Sequence, residues 1–179
     1  MESCPVTTPA PVRVVVGVSG SLGSVTALSR AAAEARRRDA ELWPVLAWQP
    51  PGGELATRRS PAATLMVDEW QRMARQRLLD VLDEVFGDVG PGTPVHGLVV
   101  RGTPGLSLVE VADRDDDVLV VGAGRRGWRR AFSGRVARYC LSHARCPVLA
   151  VPPSPLEETL TAAHRRNSWH LPLDSRQLS

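Results

Sequence analysis

Residues Val12–Val18 read Val-Arg-Val-Val-Val-Gly-Val. So short a β-branched run is too brief for a helix, and its apolar character is too continuous for a strand with one wet face. It predicts a strand buried on both sides. Strands of that kind belong to parallel sheets, whose neighbours are joined by crossovers that cover the faces with helices. The rest of the chain must therefore alternate strand and helix.

It does. Ser19-Gly-Ser-Leu-Gly-Ser24 supplies turn glycines and N-cap hydroxyls, after which Val25, Leu28, Ala32 and Ala35 recur at helical spacing opposite Arg30, Glu34, Arg37 and Arg38. Leu42–Trp48 reads as a second strand despite Pro44, and Gln49-Pro-Pro-Gly-Gly53 opens a loop to about Pro61. From Ala62 to Phe86, one face carries Val67, Trp70, Ala74, Leu78, Val81 and Val85, which predicts the longest helix. Val95–Arg101 is a third strand, Leu106 to about Asp113 a short helix, and Val118–Val121 a fourth strand. A last helix has Phe132, Val136, Tyr139, Cys140 and His143 on one face, and Pro147–Val151 is a fifth strand between prolines. With right-handed crossovers this is one doubly wound α/β domain, a mostly parallel five-stranded sheet with helices on both faces.

The organisation follows. Residues 1–11 read as a flexible start, 12–153 as the α/β domain, and 154–179 as an appendage with a short helix from Ser154-Pro-Leu-Glu157 and a frayed end. No apolar run reaches the length of about 20 residues that a transmembrane helix needs, and the start lacks a secretory signal pattern, so the expected compartment is the cytoplasm. All 22 cations are arginine, a bias of the whole composition, so position matters more than number. Seven of them, at 125, 126, 129, 130, 135, 138 and 145, lie between Gly122 and Cys146 with no acid among them, while the remainder of the chain is slightly acidic. That pattern marks a local anion-attracting surface and argues against a general nucleic-acid binder.

In an open doubly wound sheet, ligands bind beyond the carboxyl ends of the strands where the strand order reverses. The loop after strand one (Ser19–Ser24) and the loop after strand four (Gly122–Gly134) both qualify, and strand order 3-2-1-4-5 would set them side by side. Glycines there let backbone N–H groups approach a phosphate, and arginine forks match its oxygens. The plainer reading is that short turns need glycine anyway and the arginines are a solvated rim. Gly122, Gly124 and Gly127 match G-x-G-x-x-G, but no acid lies between Asp117 and Glu157 to hold a ribose, and a P-loop is excluded because the chain has no lysine.

Several blocks together carry a resemblance. They are Val14-Val-Val-Gly-Val-Ser-Gly-Ser21, Ala32-Ala-Glu-Ala-Arg-Arg-Arg38, Gly102-Thr-Pro, Val118-Leu-Val-Val-Gly122 and Cys146-Pro-Val-Leu-Ala-Val-Pro152. In order and spacing, residues 12–153 resemble a universal stress protein domain. The resemblance implies strand order 3-2-1-4-5, a homodimer through Pro147–Val151 and, in one branch of the family, ATP at the crevice, with magnesium only alongside the nucleotide. The residues it places at that site are Gly17, Val18, Ser19, Gly20, Ser21, Ala47, Gly122, Ala123, Gly124, Arg125, Gly127, Ser133, Gly134, Arg135 and Val136.

The chain departs from the family's G-x2-G-x9-G-(S/T) loop. Gly122, Gly124 and Gly134 can stand for its glycines, but the first gap is one residue short and Arg135 stands where a hydroxyl would be. Ser19 stands where ATP-binding members carry Asp, so a carboxylate toward ribose or metal is missing. The resemblance implies a non-catalytic stress-response or regulatory protein that binds adenine nucleotide. The alternative is a dimeric interaction module of the same fold that does not bind ATP and whose arginine rim meets an unidentified protein partner.

Catalytic candidates are thin. His96, His143, His164 and His170 sit beside no Ser or Cys nucleophile with an acidic orienter. Cys140-x2-His143-x2-Cys146 lacks a fourth zinc ligand and reads as packing, and Asp113, Asp115, Asp116 and Asp117 read as a solvated turn. Trp43 and Trp48 flank strand two, and Trp128 stands among the loop arginines either as a cover for a base or as a loop anchor.

Overall fold

The structure, a computed structural model, describes residues 10–51, 66–124 and 134–154. In chain order these form β1 (Arg13–Gly17), α1 (Leu22–Arg38), β2 (Glu41–Trp48), α2 (Val67–Phe86), β3 (Leu98–Arg101), α3 (Pro104–Val111), β4 (Val118–Gly122), α4 (Arg135–His143) and β5 (Val148–Val151). All pairings are parallel, in the order β3-β2-β1-β4-β5. The doubly wound sheet and its strand order are those expected from the alternation and the resemblance. The expected N-terminal segment through residue 9, the start of the long helix before residue 66 and the C-terminal helix lie outside the described residues.

The side-chain alternation of β1 divides the core in two. Val14 and Val16 pack with Leu28, Ala31 and Ala35 of α1 and with Leu78 and Val81 of α2. Val15 points to the opposite face, among Leu108 of α3 and Ala137 and Cys140 of α4. Leu28, Leu42 and Leu119 are fully buried, and each contributes about 1.5–3 kcal/mol by leaving water. On α4, Ala137 and Cys140 are buried and Val136 packs beside them as expected; Phe132 lies outside the described residues, and His143 is exposed, its ring stacked on Tyr139. The short third helix begins earlier than expected, at Pro104, which occupies its first turn.

The third strand is shorter than its sequence suggested. Leu42 donates to Pro94 O and accepts from His96 N, and Leu42 and Val95 form an isolated bridge. The next bond in that ladder would need an N–H from Pro44, which has none. Pairing resumes only at Val45 with Leu98. Pro44 thus sits buried in β2 at the gap where β3 has not yet begun.

Two acids read as solvated are not. Asp117 is 0% exposed and accepts from Arg13 Nε at 2.8 Å and Nη2 at 2.5 Å, joining the amino ends of the neighbouring strands β1 and β4. The aspartate-rich turn is therefore partly a buried ion pair. The Asp117 hydrogen bonds keep the Arg13 guanidinium protonated, and Arg13 in turn holds the exposed Asp113 carboxyl below the usual range. Glu34, assigned by spacing to the polar side of α1, is 4% exposed and bonded by Arg38 Nε and Arg37 Nη2 at 2.6 Å. Its hydrogen bond from Arg38 holds the Glu34 carboxyl below the usual carboxylate range. No helix among the described residues is long and apolar enough to cross a membrane.

Candidate functional site

At the carboxyl end of β1 the chain turns sharply into α1. Gly20 has φ +73°, and Ser21 caps α1 by accepting from Ser24 N at 3.3 Å, with its hydroxyl 3.0 Å from that of Ser19. The end of β4 lies against this turn: a Cβ on Gly122 would come within 3.1 Å of Gly23 O. Gly134, the N-cap of α4 with φ +87°, closes on β4 in turn, since a Cβ there would stand 2.8 Å from Ala123 O. The turn after β1 and the end of β4, separate in the sequence, are thus brought together at Gly122, and the start of α4 closes on the end of β4 at Gly134, where a Cβ would clash with backbone.

On the other flank of β1 lies a cleft of about 670 Å3, lined by Ser19, by Ala47, Trp48 and Gln49 at the end of β2, and by one side of α2. Its volume is in the range of small-molecule sites, and it lies beyond the strand carboxyl ends where such folds bind ligands. Arg77 crosses from α2 and donates from Nη2 to Ser19 O at 3.1 Å. A Cβ on Gly20 would meet that nitrogen at 2.8 Å, so the guanidinium lies directly on the turn.

The fifteen predicted site residues divide accordingly. Ser19 and Ala47 line the cleft, while Gly20, Ser21, Gly122, Ala123 and Gly134 build the adjoining turns. Gly124 has φ +76°, and Arg135 is exposed at the start of α4. Three others face packing instead. A Cβ on Gly17 would meet Leu108 Cδ1 at 2.9 Å, Val18 is buried and donates to Val45 O, and Val136 packs on the α3–α4 side of the core. Arg125, Gly127 and Ser133 lie outside the described residues, as do Arg126, Trp128, Arg129 and Arg130.

Sequence reasoning missed the α2 wall: Met73, Gln76, Arg77 and Asp80. A signal existed, because these residues share a helical face next to the core face Ala74, Leu78 and Val81, and Met73 is an apolar residue on the polar side. Trp48 was likewise read only as a strand flank; it forms part of the cleft, with the Arg101 guanidinium 5.9 Å from its ring. The two described cysteines offer no activated nucleophile. Both are buried, and burial pushes the Cys140 thiol up to about 11.

Residues 12–152 match the Universal stress protein family. The chain belongs to that family. A universal stress protein of Mycobacterium bovis is 32% identical over 139 residues, covering 76% of this chain and 42% of that protein. One from Mycobacterium tuberculosis matches to the same extent, so the chain spans less than half the length of these curated relatives. Among solved structures, the universal stress protein UspA of Lactobacillus plantarum shares the fold with a TM-score of 0.61 at 20% identity, over 80% of this chain and 99% of that one. A universal stress protein in complex with cAMP aligns with a TM-score of 0.52 at 28% identity, over 81% of this chain and 99% of that one.

Proposed function

We propose that this universal stress protein binds an adenine nucleotide in the cleft between the β1 turn, the end of β2 and α2, with its phosphate end directed toward the adjoining turns at Ser19–Ser24 and at Gly122–Gly124. The observation that carries this reading is the close approach of those two turns beside a cleft of nucleotide size. The cAMP complex of a relative at 28% identity supports the ligand class. Ser19 offers a hydroxyl where a carboxylate would help hold a metal, so a metal-free nucleotide suits the site better than magnesium-ATP. Among the described residues no activated nucleophile lines the cleft, and binding without turnover is the role these residues support.

Calorimetric titration tests this directly. Saturable binding of cAMP or ATP is expected, the latter with little dependence on magnesium. No detectable heat at millimolar concentrations of both would overturn the reading and leave the fold as an interaction module.

We further propose that β5 pairs with its counterpart in a second copy. It is the edge of the sheet, and an open apolar edge invites pairing. Pro147 O accepts from Leu119 N and Val151 O from Ala123 N, so alternate residues face β4 and the backbone of Val148 and Ala150 faces outward. Ala150→Pro removes an outward N–H without touching the β4 ladder. Sedimentation equilibrium at micromolar concentration should show a dimer for the parent chain and a monomer for the variant; a variant that remains dimeric places the interface elsewhere.

A further inference from the structure

The α2 wall of the cleft carries a cation whose only described partner is uncharged. Arg77 Nη2 donates to the Ser19 carbonyl at 3.1 Å, and among the described residues no carboxylate lies within ion-pair distance of it. Asp80, one turn further along the same wall, accepts instead from Gln76 Nε2 at 2.8 Å. The guanidinium rests on Gly20, at 2.8 Å (Nη2) and 3.0 Å (Nε) from where a Cβ would stand, so glycine at this turn makes the room that the planar fork occupies. A guanidinium held at a ligand-sized cleft by a neutral carbonyl has donors to spare, and it exchanges that bond for a stronger, charge-assisted one when a phosphate arrives.

We infer that Arg77 is the phosphate-recognising residue of the cleft and makes the site select phosphorylated adenine nucleotides over adenosine. This rests on the nucleotide-binding reading above and assigns within it the group that reads the charge. Ser19, which lines the cleft beside this guanidinium, brings a neutral hydroxyl and no charge of its own to the place an anion would enter.

The test is calorimetric titration of the parent chain, Arg77→Met and Arg77→Lys with cAMP, AMP and adenosine. Charge-assisted hydrogen bonds of this kind are worth about 10- to 100-fold in affinity. Arg77→Met should lose that much for cAMP and AMP and change adenosine binding less than about twofold, while Arg77→Lys, which keeps charge without the fork, recovers part of the loss. Equal losses for adenosine and cAMP would show that Arg77 only supports the turn and would overturn the assignment. So would unchanged cAMP affinity in Arg77→Met, with the nucleotide reading left standing. A parent chain that binds none of the three removes both.

Discussion

Asp117→Ala is expected to lower the unfolding free energy by about 3–5 kcal/mol, because it leaves the Arg13 guanidinium buried without its main partner. Arg13 is 6% exposed, and exposed Asp113, at 2.7 Å from Nη2, is the only other carboxylate paired with it among the described residues. Asp117 also accepts from Arg114 N at 3.1 Å, so the substitution loosens the turn into β4 as well. Urea unfolding followed by circular dichroism measures the loss, and a change below about 1 kcal/mol would contradict the buried-pair account. Replacing both partners in Arg13→Met/Asp117→Leu should recover most of the stability but not all of it, since matched apolar residues remove the charge while the Arg114 N–H stays without its acceptor.

Gly134→Ala is expected to cost about 2–3 kcal/mol and to weaken the proposed adenine-nucleotide binding at least tenfold. Two separate effects add at this position. The φ of +87° is one that an L side chain adopts only under strain, and the new methyl would stand 2.8 Å from the Ala123 carbonyl, which is backbone and cannot swing aside. Gly134→Asn tells the two apart, because Asn tolerates left-handed backbone but still carries a Cβ. If crowding dominates, Asn is nearly as costly as Ala; if Asn unfolds and binds like the parent chain, the contact between the β4 and α4 ends is not what holds the site together.

The architecture was legible in the sequence because burial on both faces leaves an unmistakable run such as Val14, Val15 and Val16, and because Gly and Pro punctuate each crossover. What failed had local causes that a single-residue pattern does not record. β3 starts late because a proline in the neighbouring strand, Pro44, lacks the N–H that the ladder needs. Asp117 and Glu34 were read as wet because acids usually are, and their arginine partners are recognisable only once β1 is set beside β4 or a helix is wound. The two turns of the site could be named from their glycines and serines. The α2 wall showed only as a helical face with Met73 on its polar side; that Arg77 on this face reaches the site was not legible, since its contact with Gly20, 57 residues away in the chain, is one that no periodicity encodes.

The Arg13–Asp117 bond ties the amino ends of the strands, and the cleft opens at their carboxyl ends. The buried ion pair and the candidate site therefore lie at opposite poles of one sheet. Substitutions lining the cleft can accumulate at one pole while the ion pair at the other keeps the domain intact, and thermal tolerance can be raised from that second pole without disturbing the cleft.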